Sequence, residues 1–285
     1  MRDIGSDFRA LHRPGAPFLL ANVWDAGSAR VMAALGATAL GTSSAAQAFT
    51  LGRPDGGAVS RDEALAHAED IVAATGLPVS GDFQNGYADD PDGVAETVRL
   101  AAEVGLAGIS IEDIGWPEDA PDGMAYDREA ATERVRAAAA AARALPRDFV
   151  LVARADGVMT GAYGMDEALA RVAAFDAAGA DCLYVPLPPS LEALAEVVRA
   201  TEKPVNALAA GPYARLVLSE FGAIGVARVS VGSALARVTH AALVEAGRAL
   251  MEGRLNALTG AAPGRDIDAL LDAGARRGAA DERTA

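Results

Sequence analysis

The chain predicts a single (β/α)8 TIM barrel on three observations: eight short apolar runs, alanine-rich stretches of helical period between them, and glycines where helix gives way to strand. The runs occupy residues 18–23, 38–41, 78–82, 108–111, 149–155, 181–185, 204–208 and 226–231. Each is continuous instead of alternating, the pattern of a parallel strand buried on both faces. Helices are expected over residues 61–74, 91–104, 128–144, 165–178, 191–200 and 233–251, where apolar positions recur with helical spacing. Four helix-like stretches close on a glycine, at Gly36, Gly105, Gly179 and Gly222, because glycine adopts the left-handed C-cap conformation without steric penalty. A doubly wound sheet would usually need fewer strands and a distinct phosphate loop. No linker interrupts the alternation, so residues 1–275 are expected to form one domain and residues 276–285, polar and small, a frayed tail.

Composition narrows the function. With 51% hydrophobic residues the chain has material for a large aliphatic core, and no long unbroken apolar run suggests a membrane span. The N-terminus, Met1-Arg2-Asp3-Ile4-Gly5-Ser6-Asp7, carries acids and lacks the apolar stretch of a signal peptide, so a soluble cytoplasmic protein is expected. Cys182 is the one cysteine, which excludes an internal disulfide. A net charge of −14 with scattered basic residues repels a phosphate backbone and argues against nucleic acid as a partner. Small-molecule chemistry remains.

In such a barrel the reactive side chains collect at the C-terminal ends of the strands. The residues there are Asn22, Trp24 and Asp25, Ser43 and Ser44, Asp82 and Gln84, Glu112 and Asp113, Arg154 and Asp156, then Pro186, Asn206 and Ser230. Acids dominate, with one arginine. Lys203, the only lysine, precedes the seventh run and so belongs to the opposite end, which argues against a Schiff base. His12, His67 and His240 fall in the N-terminal segment and in helices and read as surface or helix-face residues; Cys182 begins the sixth run and reads as a small core residue.

An oxygen-rich site without imidazole suits Mg²⁺ or Mn²⁺, since hard cations take carboxylates, amides and water. Asp82 is expected to bind the ion directly, with Glu112, Asp55 and Gln84 holding its waters. The ion would polarise the oxygens of a 2-oxo acid and stabilise an enolate, and the planar fork of Arg154 would clamp a carboxylate. Each residue also has a plainer reading. Asp82 could cap the turn through Asn85-Gly86, Glu112 and Asp113 could be a solvated pair, Arg154 could neutralise Asp156 or Glu112, and Ser43 and Ser44 could be turn residues.

With those residues in view the chain resembles the isocitrate lyase and phosphoenolpyruvate mutase superfamily over residues 18–231. Gly41-Thr42-Ser43-Ser44-Ala45 is similar to the loop whose backbone N–H groups receive the substrate carboxylate, and Gly52-Arg53-Pro54-Asp55 to the segment carrying an acid behind the metal. Ser110-Ile111-Glu112-Asp113 and Val152-Ala153-Arg154-Ala155-Asp156 match two further signatures, and Gly161-Ala162-Tyr163-Gly164-Met165-Asp166-Glu167-Ala168 resembles the stretch that follows. The resemblance implies a Mg²⁺-dependent enzyme acting beside the 2-oxo or enolate carbon of a small carboxylic acid. Taken together with the strand-end residues and the candidate proton donor Tyr87, it gives Asp82, Gln84 and Glu112 for the metal, Ser43, Ser44, Trp24, Asn206 and Arg154 for the substrate, and Asp55, Glu112, Arg154 and Tyr87 for catalysis. It also implies a homodimer or tetramer that exchanges the last barrel helix, residues 233–251.

Departures bear on the reaction. The usual Asp-x-Asp is Asp82-Phe83-Gln84, which weakens the expected metal affinity. The loop of residues 114–124 lacks both the Lys-Lys-Cys-Gly-His segment of the isocitrate lyases and the asparagine of the phosphonate mutases, and Pro186 replaces a mutase histidine. The leading expectation is a lyase or decarboxylase cleaving a carbon–carbon bond in a 2-oxo or 2-hydroxy dicarboxylate, with Tyr87, Glu118 or Asp122 as proton donor. Phosphorus–carbon chemistry on a phosphonopyruvate and a non-catalytic carboxylate-binding barrel are the alternatives.

Overall fold

The computed structural model describes residues 3–117 and 123–277. All eight runs form strands: β1 (Phe18–Asn22), β2 (Leu40–Gly41), β3 (Val79–Asp82), β4 (Gly108–Glu112), β5 (Val150–Arg154), β6 (Cys182–Tyr184), β7 (Val205–Leu208) and β8 (Arg228–Ser230). They close in parallel in the order β1-β8-β7-β6-β5-β4-β3-β2. The helices are α1 (Ile4–Leu11), α2 (Ala26–Ala34), α3 (Ser44–Thr50), α4 (Arg61–Ala74), α5 (Pro91–Glu103), α6 (Arg128–Arg143), α7 (Gly157–Thr160), α8 (Met165–Ala178), α9 (Leu191–Arg199), α10 (Leu218–Ala223), α11 (Ala234–Met251) and α12 (Gly264–Ala275). Among the described residues, none of these is long and apolar enough to cross a membrane.

Most apolar burial lies between strands and helices, where Ile71, Val98, Leu106, Leu151 and Phe175 pack, as the continuous strand runs require. The barrel interior holds a smaller cluster of Phe8, Leu20, Val150, Val152, Cys182 and Tyr184. Helix α1 closes the N-terminal end with Phe8, fully buried, a contact contributing roughly 2–3 kcal/mol. His12 follows it, with its ring 4.8 Å from Phe8 and 5.0 Å from Phe18, both edge-on. It is therefore a buried plug residue instead of a surface histidine, because the segment before β1 folds under the barrel. Cys182 is fully buried, as expected.

Close approach of β4 to β5 requires Gly108, where an added methyl would lie 2.2 Å from the Val150 carbonyl oxygen. Gly36, Gly105 and Gly179 all take left-handed φ, of 100°, 91° and 102°. Gly222 does not: α10 runs through it, and the left-handed residue is Gly225 at 94°. Ser44 starts α3 and is not a turn residue. Helix α11 departs from the barrel pattern, packing chiefly on the following turn Leu255–Leu258 and leaving Val238, Leu243, Val244 and Met251 exposed. Helix α12 packs on α2 instead. Of the expected tail, Arg276 and Arg277 continue from α12 and residues 278–285 lie outside the described part, as do Glu118 and Asp122.

Candidate active site

Strand register assembles the mouth. β3, β4 and β5 deliver Asp82, Glu112 and Arg154, and Glu112 pairs in register with Arg154. The Arg154 guanidinium is the centre. Its Nε and Nη2 donate to the two oxygens of Asp156 at 3.0 and 2.6 Å, its Nη1 donates to Asp82 Oδ1 at 2.8 Å, and Glu112 Oε2 lies 3.5 Å from Nη2. Only a planar fork can serve carboxylates in this way. Burial opposes the charge on Arg154, yet Asp156, Glu112 and Asp82 together raise its pKa well above the usual value.

Asp156 is fully buried, and its backbone N–H donates to Asp113 Oδ1 at 2.8 Å. Asp113 accepts at Oδ2 from Arg171 Nη1 at 2.8 Å and from the Tyr163 hydroxyl. Asp113 is therefore no solvated loop acid; it turns from the mouth and holds the Asp156 backbone. Asp82 is fixed from several sides, with the Ser44 N–H and hydroxyl both donating to Oδ2 at 2.9 Å and its own N–H donating to Thr42 Oγ1 at 2.8 Å. It does not cap the following turn. Asn85 does, its Oδ1 accepting from the Tyr87 N–H at 3.1 Å. Ser43 caps α3 through Ala46 N–H at 3.3 Å.

The turn after β3 is strained where it meets the site. Gln84 and Tyr87 have φ of 44° and 55°, a region that costs residues bearing Cβ about 1 kcal/mol or more each. Neighbouring bonds hold it: the Glu112 N–H donates to the Gln84 carbonyl at 2.7 Å, the Phe83 N–H to the Ser110 carbonyl at 3.1 Å, and Phe83 is buried. The conformation brings Gln84 against the cavity.

That cavity has a volume of about 200 Å³ and is lined at the mouth by Ser44, Asp55, Asp82, Gln84, Glu112 and Arg154. Trp116 stands at its rim, against the loop that carries Asp55; a methyl added at Gly57 would sit 2.9 Å from Trp116 Cβ. Burial pushes the Glu112 carboxyl well above its ordinary range; Arg154 opposes this, and Asp156 and Asp82 add to it. Asp55 keeps solvent access, but surrounding protein and the Asp82 charge raise its pKa as well.

Negative charge is thus in excess around Arg154, a condition a divalent cation relieves. Among the described residues no three His, Cys, Asp or Glu side chains form a ligand cluster of their own. The donors at the mouth, Asp82, Glu112, Asp55 and Gln84, are all oxygens of the kind hard cations take, and without imidazole or thiolate they do not suit zinc.

Three expected site residues do not line this cavity. Trp24 lies past β1, its N–H held by Ser28 Oγ at 3.0 Å and its carbonyl by the His67 ring at 2.8 Å. Asn206 sits below the mouth, since β7 continues to Leu208, and it ties Ser230 Oγ to Arg228. Tyr87 faces an adjoining cavity, its ring edge-on to Phe83 at 5.7 Å and its buried hydroxyl without a partner among the described residues. Conversely, Ser80, Ser110, Tyr184 and Arg228 line the interior and were not expected there. All four lie two residues before an expected strand-end residue, Asp82, Glu112, Pro186 and Ser230, so strand periodicity was the signal.

Fold and mouth together define a parallel (β/α)8 barrel with an acid-and-arginine site on the face where such barrels carry their chemistry. The family model for phosphoenolpyruvate phosphomutase matches residues 8–251, and the chain belongs to that family, within the PEP mutase/isocitrate lyase superfamily. It is similar to an uncharacterized protein of Mycobacterium tuberculosis, 34% identical over 86% of this chain and 89% of that one. It is also similar to 2,3-dimethylmalate lyase of Eubacterium barkeri, 32% identical over 69% of this chain and 65% of that one. A crystal structure of a candidate lyase/mutase from Burkholderia cenocepacia J2315 superposes with a TM-score of 0.87 at 46% identity, covering 93% of this chain and 94% of that one. Relatives and neighbours with named activities include lyases, a phosphorylmutase and an oxaloacetate acetylhydrolase.

Proposed function

We propose that the chain is a Mg²⁺-dependent lyase or decarboxylase that cleaves a carbon–carbon bond in a small 2-oxo or 2-hydroxy carboxylic acid. The observation that carries this reading is the convergence of Asp55, Asp82, Gln84, Glu112 and Arg154 on one cavity. Asp82 would hold Mg²⁺ or Mn²⁺, with Glu112, Asp55 and Gln84 on its waters, and the ion when bound supplies positive charge for the developing enolate oxygen. Arg154 orients the substrate carboxylate and shares that charge. Ser44 fixes Asp82 and the start of α3 against the reacting end of the acid. Glu112, whose carboxyl burial pushes well above its ordinary range, is the cavity group placed to exchange a proton with the carbanion. Tyr87 lines the adjoining cavity and not this one.

Turnover of oxaloacetate, methylisocitrate, 2,3-dimethylmalate and malate with and without Mg²⁺ tests the reading, with metal-dependent cleavage of at least one expected. Asp82→Ala should abolish Mg²⁺ binding by calorimetric titration; unchanged binding would place the metal elsewhere. The family model's mutase description favours a second reading, phosphorus–carbon chemistry, which phosphorus NMR on phosphonopyruvate distinguishes. A barrel that binds these acids without turning over any of them would be the non-catalytic form. A homo-oligomer belongs to the same proposal, supported by the apolar face of α11 left exposed on one copy.

A further inference from the structure

Below the mouth the same cavity reaches a second arginine. Arg228 opens β8, is 3% exposed and lines the cavity with Ser230 and Tyr184. Its Nε donates to Asn206 Oδ1 at 2.9 Å, while its buried Nη1 has no hydrogen-bond partner among the described residues. Nor does any described carboxylate stand within ion-pairing distance of it, and Asp82 is already committed to Arg154 and Ser44. A guanidinium stays charged in proteins, so Arg228 is a buried cation without a counter-charge. Such a group is costly to fold around unless an anion reaches it. Arg228 lines the same cavity as Asp82, Glu112 and Arg154, so an anion entering at the mouth can approach the guanidinium.

We propose that Arg228, oriented by Asn206, is a second anion subsite that takes the distal carboxylate of a short diacid, so that the cavity selects diacids over the corresponding monoacids. This rests on the reading of the cavity as a carboxylate site. The first acid group lies at the mouth with Arg154, and the second points down the barrel axis to the Arg228 guanidinium. Asn206 is then a positioning residue, which accounts for an amide buried below the strand end and bonded to both Arg228 and Ser230.

Calorimetric titration with malate and with lactate, which is malate lacking the distal carboxylate, tests the subsite in the presence of Mg²⁺. The wild-type chain is expected to bind malate at least about tenfold tighter than lactate, and Arg228→Gln to erase that preference while leaving lactate binding unchanged. Arg228→Lys should keep part of it. Thermal denaturation gives a second readout: without anion, Arg228→Gln should melt no lower than wild type, because an uncompensated charge has been removed, whereas an arginine serving only as packing would melt lower. A preference that survives in Arg228→Gln overturns the proposal. So does stabilisation of wild type by sodium chloride equal to that by malate with no preference over lactate, which would mark an inorganic-anion site. If neither acid binds, the carboxylate reading itself fails and the subsite with it. If Arg228→Gln does not fold, the anion-free melting expectation has failed and the proposal is overturned.

Discussion

Arg154 and Arg228 stand in one barrel interior, on β5 and β8, under opposite electrostatic conditions. Arg154 contacts three carboxylates and is surrounded by more negative charge than it neutralises; Arg228 has a single amide oxygen and an unpaired nitrogen. Both are buried, so desolvation penalises both, and the difference lies in what surrounds them. The pKa of Arg154 rises and that of Arg228 falls, burial being the leading cause of the fall. On the proposals above, the upper site receives positive charge and the lower one negative charge.

Removing the two arginines should therefore have unequal consequences. Arg154→Ala leaves fully buried Asp156 and nearly buried Glu112 without their cation, and should cost about 3–5 kcal/mol in urea denaturation, whereas Arg228→Gln should cost nothing measurable. Equal losses would break the comparison.

A smaller effect is expected from the floor. Burial, with help from the Arg228 charge and then Arg9, lowers the His12 pKa from 6.5 to about 3, against the weaker opposing bonds to the Phe8 and Arg9 carbonyls. Because the folded value lies below the unfolded one, the unfolded chain takes up the proton first as pH falls. Stability is full above pH 6.5 and declines toward pH 3, by about 2 kcal/mol on reaching pH 5. Denaturation at both pH values should show this decline for the wild type and a shallower one for His12→Gln.

The smallest effect sharpens the upper half of the contrast. Gln84→Asp adds a carboxylate at a left-handed position that aspartate tolerates, and should tighten Mg²⁺ binding about tenfold by titration. No change would mean that Gln84 does not face the ion's shell.

The barrel was legible in the sequence because strands covered on both faces leave continuous apolar runs, and helix ends leave glycines. It was misread where two glycines compete: Gly222 lies in the last turn of the short helix α10 and Gly225 just after it, and only packing decides which turns left-handed. The hairpin of Ile114–Gly115 with Met124–Ala125 and the one-turn α7 left no periodic signal, being too short to carry one. At the site, Asp82, Glu112 and Arg154 were found because topology fixes where strands end. Arg228 was passed over because its Cα lies at the start of β8, and the period-two spacing to Ser230 shows which face it takes but not how far its long side chain reaches. Asn206 was placed on the correct strand but at the wrong height: it sits mid-way along the run of residues 204–208, and β7 ends at Leu208 as that run indicated.

Trp116 supplies a built-in optical probe. The chain has two tryptophans, and Trp24 lies off the cavity, whereas the Trp116 indole lines it and rests against the loop bearing Asp55. In a Trp24→Phe background the remaining emission comes from the rim of the site alone. Its intensity and wavelength would then follow acid entry and movement of that loop in real time, giving stopped-flow access to binding steps that precede any bond cleavage.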